Sequence, residues 1–152
     1  MNRKMFFIII SLLLMMIIIG AGYFFFFRKS PLSKSQIKVG SHAFEIEIAN
    51  TAASRAQGLS GREKLKDNEG MLFVFPSVGS HSFWMMGMNF HLDFVWILDD
   101  EVAGITENVQ PEKKLFPTIL YPLIPVNKVL EINAGEAAKR GIKAGDKVYP
   151  VE

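Results

Sequence analysis

The sequence predicts a mainly β domain, a β-sandwich or barrel-like fold with two short helices, preceded by an N-terminal transmembrane helix. Three observations predict it. Met5 to Phe27 is a run of 23 residues without a charged side chain. Beyond it, short apolar segments recur between turns rich in glycine, proline and asparagine, the pattern of many short strands. The stretch Gly70 to Leu98, GMLFVFPSVGSHSFWMMGMNFHLDFVWIL, holds both tryptophans and four of the eight methionines, and Asp93 is its one acid. Such a stretch belongs in a core.

A helix over Met5–Phe27 would measure roughly 34 Å, enough for the hydrocarbon layer of a bilayer. Arg3 and Lys4 precede it, and Arg28 and Lys29 stop it. Gly20 and Gly22 also fit the small residues of a cleavable signal peptide, but four phenylalanines directly after them make a poor mature terminus. The reading is therefore an uncleaved anchor over 1–29, a linker over 30–36 and a compact domain over 37–152. Basic residues flank the run on both sides, so charge alone does not orient it. The very short tail before the run resembles a signal-anchor, which places the domain on the extracytoplasmic side of the cell membrane.

Ile37–Val39, Gly40-Ser41 and His42–Ala49 read as a hairpin. Phe44, Ile46 and Ile48 alternate with Glu45 and Glu47, the period-two pattern of a half-buried strand. Thr51–Leu59 reads as a short helix capped by Asn50 or Thr51 and ended by Gly58. Three central strands follow, Met71–Phe75, His81–Met86 and Leu92–Leu98. Asp99-Asp100 turns into an edge strand over Glu101–Gln110. Pro111 to Asn127 carries four prolines among seven large apolar residues, so it is a long loop with an apolar surface and a functional candidate. Val129–Ile132 is a strand, Glu136–Arg140 a helix and Lys147–Val151 a last strand.

The basic character of the whole chain comes from its first segment. Of 17 basic residues, four flank the apolar run, leaving 13 against 15 acids in the rest. A domain of that balance carries no electrostatic footprint for nucleic acid. The absence of cysteine excludes disulfides, thiolate catalysis and cysteine-ligated zinc. No phosphate loop, dinucleotide fingerprint, nucleophile elbow or zinc-protease motif occurs, and no cofactor is implied.

Asp93 and Glu131 are acids inside apolar runs, where a carboxylate needs a partner. Arg55 and Arg62, in the short helix and the turn after it, could supply guanidinium forks to those acids or to an anionic or polar ligand. His81, Met85, Met86, Met88 and His91 form a soft-donor cluster of the kind that suits copper(I), although strand alternation would split the methionines between two faces. Trp84 could open onto a pocket. The ligand-binding candidates are thus Arg55, Arg62, Trp84, Met85, Asp93 and Glu131. They make a membrane-anchored binding or interaction module for a small molecule or a protein the first reading. A hydrolase or transferase using Asp93 or Glu131 as general acid or base is the second, and copper handling the third.

The motifs Arg55-x-x-Gly58-Leu59 with Arg62, Gly70-Met71-Leu72-Phe73-x-Phe75, Phe83-Trp84-Met85 leading to Leu92-Asp93, Val129-Leu130-Glu131 with Gly135, and Gly141-Ile142 with Gly145-Asp146 occur here in order. Together, over roughly Val39 to Val148, they resemble the bacterial and archaeal family known as domain of unknown function 192. The resemblance implies a compact, mainly β fold and a frequent association with export signals, and no activity. Members often read Trp-Met-Lys-Asn-Thr and a proline before Leu-Asp; here Met86-Gly87-Met88 and His91 take those places.

Overall fold

The structure, a computed structural model, describes residues 3–26, 32–114 and 116–151; within the first helix it describes the side chains of Phe7 and of 9–20. The chain divides into two compact units, Met1–Pro31 and Leu32–Glu152. The first unit holds α1, a 24-residue helix over Arg3–Phe26 whose described side chains are all exposed. Among the described residues no helix is long and apolar enough to cross a membrane, so the span expected over Met5–Phe27 rests on the sequence. Phe27, Arg28 and Lys29, expected to close that span, lie outside the described residues, as do Ser30 and Pro31 of the expected linker.

The second unit runs β1 (Ser33–Val39), β2 (His42–Ala49), α2 (Ala52–Gln57), β3 (Glu69–Gly79), β4 (Leu92–Leu98), β5 (Glu101–Val109), β6 (Val126–Asn133), α3 (Glu136–Lys139) and β7 (Val148–Val151). Strand β1 begins at Ser33, inside the segment expected to be linker. All seven strands join one mixed sheet in the order β5-β4-β6-β3-β2-β1-β7. Of the described strands only β2 and β3 pair in parallel, and the crossover that parallel pairing requires is the segment carrying α2.

A sandwich needs two stacked sheets; here one sheet curls until its edges meet. The Val102 N–H donates to the Asp146 carbonyl at 2.9 Å, the Gly145 N–H to the Val102 carbonyl at 2.9 Å, and the Val148 N–H to the Asp100 carbonyl at 2.8 Å. The start of β5 is thereby tied to the approach to β7. The edge strand expected over Glu101–Gln110 is β5, which ends the sheet.

Curling gives the central strands two buried faces. Leu72, Leu130, Val95 and Ile97 point to one core with Ile37, Val39, Phe44 and Ile46. Met71, Phe73, Val129, Phe94 and Trp96 point to a second core on the opposite face. This is why the Gly70–Leu98 stretch is apolar almost throughout: its strands have no solvent side.

The second core is roofed by chain outside the sheet, and here the expectation of three successive strands fails. His81–Met86 is not a strand. Its backbone pairs with the sheet nowhere and bridges only to the proline-rich loop, where Phe83 and Leu120 exchange hydrogen bonds of 3.0 and 2.8 Å, and at Met86 with Glu112. Phe83 and Met85 are buried while Trp84 and Met86 are exposed. The alternation is real, yet it marks a lid lying flat on the sheet. The place beside β3 is taken by β6, which extends the expected Val129–Ile132 by three residues on one side and one on the other.

Candidate functional site

Helix α2 is short and held by its ends. Thr51 Oγ1 accepts the Ser54 N–H at 3.1 Å, Ser54 Oγ accepts the Thr51 N–H at 3.0 Å, and Gly58 closes the helix with a φ of 50°. This fixes Arg55, whose Nη1 donates to the carbonyls of Asn50 at 2.7 Å and Val74 at 2.9 Å, with the guanidinium 5.1 Å from the centre of the Phe75 ring. Arg55 thus joins α2 to β3 and still faces a cavity.

The opposite wall is the lid over residues 80–91, whose Phe83, Met85 and Met88 enter the second core. Phe83 meets Phe73, Phe75, Phe94 and Trp96 edge-on, at ring distances of 5.1, 6.1, 5.7 and 5.6 Å. His81 stacks on Phe75 at 3.6 Å. The Gly87 bend, with a φ of 78°, is laced to the turn after α2: the Gly61 N–H donates to the Gly87 carbonyl at 2.9 Å and Asn89 Nδ2 to the Arg62 carbonyl at 2.8 Å.

Between these walls lies a cavity of about 310 Å³, at the small end of ligand-site volumes. Arg55, Gln57 and Ser60 line it from one side, Phe83, Trp84, Met86 and Met88 from the other, and Phe73, Phe75 and Glu131 form its floor. Glu131, on β6, is 5% exposed and makes no hydrogen bond or ion pair among the described residues. Its register opposite Met71 and Phe94 puts it in the second core. Among the described residues no side-chain nitrogen or oxygen sealed from solvent is left without a partner, so this carboxyl opens into the cavity. Burial pushes it up to about 8, so at neutral pH it holds its proton.

The six sequence candidates separate. Arg55, Trp84 and Glu131 come together at the cavity. Arg62 does not: its two terminal nitrogens clasp the Glu47 carboxylate at 2.7 Å each, tying the turn to β2. Met85 is buried in the second core. Asp93 is fully buried and accepts the Asn108 N–H at 2.8 Å on Oδ1 and the Ala137 N–H at 3.0 Å on Oδ2, so it fastens β5 and the start of α3 to β4. Asp93 pairs with Ile132, which faces the first core, so it and Glu131 cannot act on one substrate.

The soft-donor cluster also disperses. His81 engages the Ser77 carbonyl at 3.1 Å, His91 engages Asn108 Oδ1 at 3.1 Å, and Met85 is in the core. Only Met86 and Met88 reach the cavity. Sequence reasoning weighed Ser60 only as a nucleophile without a base and Phe75 only as part of a motif, and it passed over Gln57, since the lid that faces them comes from a distant segment.

A cleft of about 490 Å³ lies over β1 and β2 beside Lys34, Glu45, Glu47 and Glu69. Two of its acids are satisfied within the fold, Glu47 by Arg62 and Glu69 by Lys66. The proline-rich loop does two things. Leu120 packs on the second core, while Phe116, Ile119, Tyr121, Leu123 and Ile124 are exposed. Leu115, expected in its apolar set, lies outside the described residues.

Residues 35–149 match the model of a family described as uncharacterized ACR, domain of unknown function 192. The chain is similar to a solved protein of unknown function from Novosphingobium aromaticivorans, with 37% identity and a TM-score of 0.73 over 80% of this chain and 89% of that one. It is also similar to a solved protein from Sinorhizobium meliloti, named as a candidate transcription regulator, with 28% identity and a TM-score of 0.75 over 80% and 97%. No curated protein matches the chain.

Proposed function

The chain belongs to the domain of unknown function 192 family, and from that premise we propose that it is a membrane-anchored, extracytoplasmic module that binds a small molecule in the cavity between α2 and the 80–91 lid. The single observation that carries the binding reading is Glu131, a carboxyl with no partner of its own at the floor of an aromatic cavity. A fold that only needed to stay folded would gain by replacing it with an apolar side chain. Among the described residues lining the cavity Glu131 is the one carboxyl, and Asp93 is tied to two backbone N–H groups elsewhere, which favours binding over two-carboxylate catalysis. The regulator name of the Sinorhizobium protein is not carried over, since beyond residue 29 the acids outnumber the bases.

The anchor is supported by the uncharged run Met5–Phe27 in the sequence.

Ala56 is exposed at the cavity wall on α2, so Ala56→Trp should plug the cavity while leaving the helix intact. A small-molecule screen of the full chain in dodecyl maltoside, read by ligand-observed NMR, is expected to give hits that the plugged variant loses. Hits that bind Ala56→Trp equally well, or a screen without hits, would refute the cavity reading. For topology, Ser41→Cys gives a chain with a single thiol in the exposed β1–β2 turn. A membrane-impermeant maleimide should label it in intact cells. Labelling only after lysis would reverse the orientation, and release of the protein by alkaline carbonate would remove the anchor.

A further inference from the structure

We propose that this cavity takes an organic cation, an ammonium group on an apolar body, with Glu131 as its counter-ion and the rings of Phe83 and Trp84 as its walls. The inference rests on the cavity being a binding site, and it specifies what the site selects. An isolated carboxyl in an apolar enclosure is unsatisfied in its charged form, and a ligand cation is the group that relieves that most directly. Aromatic rings line the same cavity, and a ring face is negative, so a desolvated cation seated on one gains from it. One ring here already does this: Phe75 carries the Arg55 guanidinium.

Arg55 is the one other charged side chain lining the cavity, and its Nη1 is held by the carbonyls of Asn50 and Val74. It forms no ion pair with Glu131 and so leaves the counter-ion position open. From β3 and β4 the residues in register with Glu131 are Met71 and Phe94, which carry no charge. His81 of the lid is not among the cavity's lining residues; its ring stacks on Phe75 and engages the Ser77 carbonyl. A bound cation therefore meets one acid, and its binding expels the proton that burial keeps on Glu131.

The test uses benzyltrimethylammonium, whose charge does not change with pH, against benzyl alcohol and phenylacetate, titrated calorimetrically into the full chain in dodecyl maltoside. The cation is expected to bind most tightly of the three. Its affinity should rise about tenfold from pH 7 to pH 9 as the charged fraction of Glu131 grows. Glu131→Gln, which keeps the shape and removes the charge, should abolish that rise and weaken the cation without weakening benzyl alcohol. Equal or tighter binding of the alcohol or the carboxylate would overturn the cation proposal while leaving the cavity as a site. So would a cation affinity that Glu131→Gln leaves unchanged. Failure of all three probes to bind would count against the cavity as well.

Discussion

Asp93 and Glu131 sit on adjacent strands one register step apart, Asp93 opposite Ile132 and Glu131 opposite Phe94, and they face opposite sides of the sheet. One residue of offset reverses the side a strand residue faces. Two acids that look alike in sequence thus have unlike environments. Asp93 is saturated by backbone donors, and Glu131 has none.

Asp93→Ala should therefore behave as a core mutation. It leaves the Ala137 N–H without its acceptor in a buried place and the Asn108 N–H without its acceptor in a half-buried one. The expected loss is about 2–4 kcal/mol, seen as a lower urea midpoint with an unchanged slope. A change under about 0.5 kcal/mol would mean those donors find water.

Glu131 should impose the opposite pH dependence from an ordinary paired acid. Its folded-state value lies near 8, against an ordinary 4.5. Between those values the folded chain keeps a proton that the unfolded chain has released, so stability falls as pH rises from about 5 to 8. The group is almost wholly buried, and the loss is on the order of a few kcal/mol. Glu131→Gln should flatten this slope and be more stable than the wild type at pH 8. Melting temperatures at pH 5, 6.5 and 8 decide it, and parallel curves for the two proteins would contradict the assignment.

Arg62 and Glu47 make the ordinary case. The hydrogen bonds from Arg62 hold the Glu47 carboxyl below its usual range. That contribution is present above the unfolded value and is lost as pH falls through the folded one, in the acid range below 4.5. The pair is about a quarter exposed, and Arg62→Ala should cost about 1 kcal/mol at pH 7 and progressively less as pH falls below 4.5. Ligand binding in the cavity should be unaffected, since Arg62 does not line it.

Phe83 should be the costliest single side chain of the lid. Truncation to alanine removes four edge-on ring contacts and opens a void above Phe94 and Trp96. A loss of about 3–5 kcal/mol is expected in chemical unfolding. Hydrogen exchange should speed up first at the Phe83 and Leu120 amides, which bond to each other's carbonyls.

Gly87→Ala tests the bend where this chain departs from the common family pattern. The added methyl would meet Ser60 Oγ, and the backbone has a φ of 78°. The expected cost is about 1–3 kcal/mol. Adding Ser60→Ala should recover only the steric part, since the backbone strain remains.

Much of the fold was legible because it is written in local periodicity. Phe44, Ile46 and Ile48 announce β2 by alternation, Thr51 and Gly58 bracket α2, and Asp99-Asp100 turns β4 into β5. His81–Met86 misled for the same reason: alternation reports one buried side and one exposed side, which a lid satisfies as well as a strand does. For the site, Arg55, Trp84 and Glu131 stood out by residue type. Arg62 and Asp93 had the same signature and turned out to be fasteners, because which charge finds an internal partner depends on neighbours far away in the chain.

The sequence by itself determined the family, the mainly β class, the short capped helix and the long uncharged apolar run, all properties of composition and short-range spacing. Tertiary structure decided that β6 inserts between β3 and β4, that the sheet curls into one closed layer, and that the 80–91 segment roofs its outer core. Those choices left Glu131 alone under the lid. The physical reason is parity: strand order and register set which face each residue takes, and no local pattern encodes a pairing between segments tens of residues apart.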